Sequence, residues 1–100
     1  MPALNQRDAI HYIATRQEFT ASALSGSTYS LGAGRLRGEE LEKFYQEVNF
    51  IKYAVYSYGT PIAWHTLGGW YVVEQKFSQT TSKHQNLTRR AIAESLVGAN

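Results

Sequence analysis

Three histidines have side chains suited to acid–base or metal chemistry: His11, His65 and His84. Imidazole nitrogens bind zinc, and zinc-binding histidines recur at short fixed spacings such as HxxxH or HExxH. Neither spacing occurs in this chain, and there is no cysteine to supply a thiolate ligand. The sequence therefore predicts no metal site and no cofactor.

One metal-free reaction fits the residue types around two of these histidines. His65 and His84 would act as acid and base in phosphodiester cleavage, with Lys83 stabilising the charged intermediate. Tyr56 or Tyr58 would complete such a site, which is typical of small ribonucleases. This hypothesis requires the two histidines to converge in the fold. The alternative is that each is an ordinary surface or hydrogen-bonded residue.

Other hydrolytic sites lack their residues. Glu74 is the single carboxylate in the aromatic segment, so a paired-carboxylate glycosidase site is unsupported. No Gly-x-Ser-x-Gly sequence occurs, and a chain without cysteine has no thiol nucleophile. Gly32 and Gly34 lack the flanking strand and helix of a phosphate-binding loop, which favours a linker. We therefore expect a non-catalytic protein.

The candidate residues fall mostly on a predicted antiparallel β-unit within residues 50–77. Three strand-like runs cover residues 50–58, 60–67 and 70–77, and Gly68-Gly69 is a strong signal for a tight hairpin. If both turns are tight, Trp64 opposes Val73 on one side and Val55 on the other. The sequence thus predicts a three-stranded meander.

Alternation along these strands assigns two faces to the meander. The predicted core face carries Ile51, Tyr53, Val55, Ile62, Trp64, Tyr71, Val73 and Phe77. The opposite face carries Lys52, Tyr56, Tyr58, His65, Trp70, Glu74 and Lys76. This second face is aromatic and cationic, and it is open to solvent unless another element covers it.

Helices are predicted on both sides of the β-unit. Asn5 and Asp8 have capping-box spacing before an apolar-periodic segment, which predicts a helix over about 6–16. An apolar stripe predicts a second over about 39–48, and a polar run with Ser82 or Asn86 as cap precedes a third over about 83–97. Alternation near 18–24 indicates an extra short strand or an extended arm. Together these predict one α+β domain over residues 1–100.

Charge is distributed unevenly along the chain. Residues 1–50 carry five Lys/Arg and six Asp/Glu, whereas residues 51–100 carry five and two. Between residues 75 and 93 there is no acid, while Lys76, Lys83, Arg89 and Arg90 are present. Such a stretch is typical either of a phosphate-contacting surface or of an ordinary solvated one.

The cellular location of the protein is inferred from three features that the sequence lacks. The absence of cysteine is typical of a reducing compartment. No apolar stretch near the start suits a signal peptide, and no run approaches the roughly 20 residues of a membrane span. We expect a protein of the cytoplasm with no membrane partner.

Two segments resemble a known group of sequences. Tyr56-Ser57-Tyr58-Gly59-Thr60-Pro61-Ile62-Ala63-Trp64-His65, then Gly69-Trp70, and Phe77-Ser78-Gln79-Thr80-Thr81-Ser82-Lys83-His84-Gln85 are similar to a pattern in uncharacterised small proteins of actinobacterial phages and related mobile elements. The resemblance covers roughly residues 19–85. It implies a phage or plasmid origin in a bacterial host, and hence either handling of nucleic acid or interference with a host protein.

The favoured function is non-catalytic binding, with nucleic acid slightly preferred as partner. Bases stack on exposed aromatic rings while cations contact phosphates. The candidate binding residues are Lys52, Tyr56, Tyr58, His65, Trp70, Lys76, Lys83, Arg89 and Arg90. The alternatives are a surface that binds and modulates a host protein, and an aromatic face that is merely covered by residues 18–31 or by the basic helix. A dimer through an open face or strand edge is also compatible with the sequence.

Overall fold

The computed structural model describes residues 5–29 and 32–98. Three α-helices and a five-stranded antiparallel sheet are present in this part of the chain. In chain order the elements are α1 (Gln6–Ala14), β1 (Phe19–Ala21), β2 (Leu24–Ser27), α2 (Gly38–Glu47), β3 (Tyr53–Ser57), β4 (Thr60–Thr66), β5 (Gly69–Val72) and α3 (Gln79–Gly98). The strands lie in the sheet in their chain order, so the sheet is a simple meander. The α+β class is confirmed.

The sheet is larger than the predicted three strands. The short strand predicted near residues 18–24 is a hairpin of two strands over residues 19–27, β1 and β2, and β2 pairs with β3. This hairpin carries few of the β-branched and aromatic residues that mark strands in a sequence. Its pairing instead depends on close packing over Gly26, where Phe19 and Tyr53 lie directly against the backbone.

The helices begin and end near their predicted positions. Asn5 caps α1 by accepting a hydrogen bond from the Asp8 backbone N–H at 2.9 Å, as the capping-box spacing predicts. The prediction of Ser82 or Asn86 as the cap of the last helix is wrong. Ser78 accepts from the Thr81 N–H at 3.2 Å, so α3 begins about one turn earlier than predicted.

Both faces of the sheet are covered. Helices α1 and α3 pack over the face that carries Tyr53 and Val55. Helix α2 and the segment before it pack over the face that carries Tyr56 and Trp64. The chain therefore forms three layers, with the sheet between two layers of helices.

The predicted strand register is wrong. Trp64 opposes Ala54 and Tyr71 rather than Val55 and Val73. The turns are Tyr58-Gly59 and Leu67-Gly68, each one residue earlier than the predicted Gly59-Thr60 and Gly68-Gly69, and a bulge shifts the β3–β4 register between Val55 and Tyr56. An earlier turn moves the pairing by two residues and keeps the faces, whereas the bulge moves it by one residue and so turns β3 over relative to β4. The predicted faces are mixed as a result.

Gly26 provides a test of this packing. A Cβ at this position would lie 1.9 Å from the Tyr53 hydroxyl oxygen and 2.6 Å from the Phe19 ring. We expect Gly26→Ala to lower the free energy of unfolding by about 2–3 kcal/mol because the core must move to admit the methyl group. Urea denaturation followed by tryptophan fluorescence measures the change.

Gly68→Ala is the matched control. Its Cβ would meet only the Thr66 hydroxyl, at an ordinary 3.6 Å. We expect a change within about 0.5 kcal/mol. Equal destabilisation by the two substitutions would contradict the packing described for Gly26.

Candidate functional site

The single aromatic face expected from the sequence does not form. Tyr56 is 1% exposed and lies in the core beneath α2. It shares this layer with Trp64, whose indole N–H donates to the Glu47 carboxylate at 2.8 Å. Tyr56 is therefore a core residue and its ring is closed to a stacking ligand, because the slip in register turned β3 over.

Trp70 and His65 lie on the opposite face from Tyr56, toward α1 and α3. Their rings form an edge contact at 5.2 Å between centroids, and Trp70 also packs edge-on against Tyr53 at 6.0 Å. Burial lowers the pKa of His65 from its ordinary value, and the nearby positive charge of Arg16 lowers it further. Both rings are half-buried, so neither forms an open platform.

Tyr58 is the one member of the predicted aromatic set that is exposed, at 61%. It lies in the β3–β4 turn with φ +52°, and Gly59 follows with φ +79°. Positive φ at both central residues is the geometry of a tight hairpin turn. The turn places the Tyr58 ring 6.3 Å from the His84 ring, beside the first turns of α3.

The two histidines of the ribonuclease hypothesis do not converge. His65 pairs with Tyr53 at one end of β3, whereas His84 hydrogen-bonds to Ser57 at the other end. Four residues of strand separate these ends, which is about 13 Å. Lys83 is exposed on α3 and shares the His84 end. The fold therefore does not bring together the acid and the base that phosphodiester cleavage requires.

The predicted cations are exposed but lie on different parts of the surface. Lys52 borders a cleft of about 270 Å³ that Phe50 and Leu67 also line. Lys76 lies in the segment between β5 and α3. Arg89 donates to the Asn86 side chain at 3.1 Å on the outer surface of α3.

Arg90 lies in a larger basic cleft between α1 and α3. This α1–α3 cleft has a volume of about 670 Å³, and its charged and imidazole side chains are Arg7, His11, Arg16, Arg90 and Glu94. Within the described residues, none of the three arginines lies within 4 Å of a carboxylate oxygen. The cleft thus gathers three guanidinium groups around one carboxylate.

Sequence reasoning missed Arg7 and Arg16. Both belong to the half of the chain with net negative charge, and only the packing of α1 on α3 brings them beside Arg90. The spacing of nine residues between them matches no local motif. Their convergence is a tertiary property without a signal in the sequence.

A second cluster joins residues 56–65 to residues 77–85. The Ser57 hydroxyl lies 2.7 Å from His84 Nδ1 and 3.0 Å from the Thr81 hydroxyl. Gln85 donates its amide to the carbonyl oxygens of Val73 at 2.8 Å and Gln75 at 3.3 Å. These contacts fix the start of α3 against the sheet, and they border a cleft of about 400 Å³.

Two further features of the described residues bear on ligands. No helix among them is long and apolar enough to cross a membrane. Across residues 5–29 and 32–98, no group of three or more His, Asp or Glu side chains is placed to hold a metal ion.

Comparison with known proteins gives one match. Residues 10–94 match the model of a family described as "Family of unknown function (DUF8033)". No curated protein and no solved structure matches the chain.

The buried histidine makes stability depend on pH. Burial lowers the pKa of His84 below its ordinary value of 6.5, so the unfolded chain takes up this proton more readily than the folded one. His65 acts in the same direction. We expect the stabilisation to be complete above pH 6.5 and to decrease as the pH falls below that value.

Urea midpoints measured between pH 7.5 and 5 test this dependence. His84→Gln should flatten the decrease, whereas Lys83→Gln, at an exposed neighbour on the same helix, should leave it unchanged. A wild-type midpoint that rises on acidification would contradict the neutral buried imidazole.

Proposed function

We propose that this chain, which belongs to the family of unknown function DUF8033, is a small binding protein for single-stranded nucleic acid. The observation that carries the proposal is the α1–α3 cleft with its three arginines. Guanidinium groups bind phosphate oxygens through paired hydrogen bonds, so a cleft of this composition suits a phosphodiester backbone.

Unpaired guanidinium groups in one cleft repel one another. No carboxylate within the described residues forms an ion pair with Arg7, Arg16 or Arg90. Glu94 is the one acidic side chain that lines the cleft. An anion with several charges relieves this repulsion, and a run of phosphates supplies such an anion.

The exposed ring of Tyr58 supports a single strand over a duplex. It lies near His84, and Arg90 lies six residues further along α3, which is about 9 Å of helix. A strand that runs along α3 would stack a base on Tyr58 while its phosphates contact the three arginines of the α1–α3 cleft.

The origin in a phage or mobile element is part of the same proposal. It rests on the resemblance of residues 56–65 and 77–85 to proteins of that group. Such a protein would act in the cytoplasm of the bacterial host.

Salt dependence of binding tests the proposal. We expect a fluorescein-labelled oligothymidylate to bind with a log–log slope against salt of about −2, because three phosphate contacts contribute about −0.7 each. Binding at 200 mM salt should then be roughly 20-fold weaker than at 50 mM. Fluorescence anisotropy measures both quantities.

A pair of variants with the same charge separates the cleft from net charge. Arg7→Gln with Arg90→Gln should weaken binding at least about tenfold and bring the slope to about −0.7. Lys52→Gln with Lys76→Gln also removes two charges, but from outside the cleft, and should have little effect. Equal losses in both double variants, or no binding at 50 mM salt, would contradict the proposal.

A second candidate function is binding and modulation of a host protein. Phe50 is 65% exposed and Leu67 is 93% exposed, and both line the cleft of about 270 Å³ next to Lys52. Large apolar side chains around a concavity are typical of interaction hot spots. This surface lies apart from the α1–α3 cleft, so the two candidates can be tested separately.

Phe50→Ser with Leu67→Ser tests this candidate. The double variant should lose a host partner that the wild-type chain retains in a pull-down at 0.5 M salt, because an apolar contact resists salt. Tyr45→Ser, which removes another exposed ring at 62% exposure, is the control. Retention of the partner by the double variant would exclude this surface as the binding site. Dimers of the wild-type chain that form as its concentration rises would show that a second copy of the chain occupies the surface.

A further inference from the structure

Strand β5 forms one edge of the sheet. It pairs with β4 on one side, and among the described residues no strand pairs with it on the other. Edge strands usually carry a charged side chain, a proline or a bulge that prevents pairing with another chain. The residues of β5 are Gly69-Trp70-Tyr71-Val72, and its register with β4 is continuous. This edge therefore lacks all three of these devices.

The main-chain groups of two β5 residues point out of the sheet. The Val73 N–H donates to the Ile62 carbonyl oxygen at 2.9 Å, so Val73 faces β4. The direction of these groups alternates along an antiparallel strand. The carbonyl oxygen of His65, which lies opposite Trp70, accepts at 2.8 Å from the residue before β3, so His65 faces away from β5. The N–H and C=O groups of Trp70 and Val72 are therefore directed to the free edge.

A cleft of about 850 Å³ runs along this edge, between β5 and the start of α2. Residues of β5 line one side of this edge cleft, and Arg37, Glu39 and Glu40 line the other. The side chain of Gln75 holds the two sides together. It donates to the Arg35 carbonyl oxygen at 3.0 Å and accepts from the Arg37 backbone N–H at 2.9 Å. The wall of the cleft is thus fixed in the absence of a partner.

The charged side chains of the edge cleft are mostly acidic. Glu39, Glu40 and Glu74 provide three carboxylates against the single guanidinium of Arg37. Glu40 accepts from the Tyr71 hydroxyl at 2.7 Å, whereas Glu39 and Glu74 are exposed and form no ion pair within the described residues. This charge favours a basic partner. A second copy joined through the same edge would bring two acidic clefts together, which like-charge repulsion disfavours.

We propose that the free edge of β5 binds an extended segment of a partner protein that carries Lys or Arg at alternate positions. The segment adds a strand to the sheet through hydrogen bonds to the main chain of Trp70 and Val72. Alternate side chains of a strand lie on one face, so its cations reach Glu39 and Glu74 together. The edge cleft shares no lining residue with the α1–α3 cleft, and this binding is independent of nucleic acid.

Titration of the ¹⁵N-labelled chain with a capped hexapeptide, Lys-Val-Lys-Val-Lys-Val, tests the proposal. At about 1 mM peptide we expect shifts of the Trp70 and Val72 amide signals, and nuclear Overhauser contacts from these amides to the peptide. The matched peptide Glu-Val-Glu-Val-Glu-Val should cause neither. No shift in β5, equal shifts with both peptides, or shifts centred on another strand would overturn the proposal.

A proline at the free edge tests the strand pairing itself. Val72→Pro removes an N–H that faces solvent, where a sheet tolerates proline, and leaves the β4–β5 hydrogen bonds in place. We expect it to weaken binding of the lysine peptide about tenfold, whereas Val72→Ala, which keeps the N–H, should bind within about twofold of the wild type. Full binding by folded Val72→Pro would overturn the proposal.

A charge-matched pair of variants gives a result even if Val72→Pro does not fold. Glu39→Gln with Glu74→Gln should weaken binding of the lysine peptide about fivefold. Glu42→Gln with Glu94→Gln also removes two exposed carboxylates, but from outside the edge cleft, and should have no effect. Equal losses in the two double variants would overturn the proposal. Trp70 and Val72 signals that shift with protein concentration alone would also overturn it, because the occupant would then be a second copy of the chain.

Discussion

The rest of the structure depends on a hairpin that is buried on both faces. All residues of β3, and those of β4 from Thr60 to Trp64, are buried. A strand pair without a solvent face requires covering layers on both sides, because each exposed large apolar side chain forgoes about 1.5–3 kcal/mol. Helices α1 and α3 supply one layer and α2 supplies the other. The helices on both sides of the sheet are thus required by the burial of both faces of this hairpin.

This constraint also decides where ligands can bind. Aromatic rings on a covered sheet fill the core, as the buried rings of Tyr56 and Trp64 show. Ligand-accessible surface remains on the helices and at the ends of the hairpin. The α1–α3 cleft and the cleft of about 400 Å³ beside Tyr58 occupy these two kinds of place.

The sequence was informative where structure is local. Helix periodicity and the capping contact of Asn5 predict α1 and α2 closely, since neighbours within one turn determine both. Strand register was mispredicted because a bulge near Val55 shifts the pairing by one residue and leaves no compositional trace. The β1–β2 hairpin was only partly predicted because its small residues pair through contacts over Gly26. Both differences between prediction and structure depend on contacts between residues far apart in the sequence.

The central claim is that the sheet is core and that the surface of α1 and α3 binds the ligand. Titration of ¹⁵N-labelled protein with an oligothymidylate, followed by two-dimensional NMR, tests it most directly. The account predicts shifts for the Arg7, Arg16 and Arg90 side-chain signals and for backbone amides of α1 and α3, with the Trp64 indole signal unchanged. Shifts centred on Trp64 and on the amides within strands β3 and β4, with the arginine signals unmoved, would contradict it.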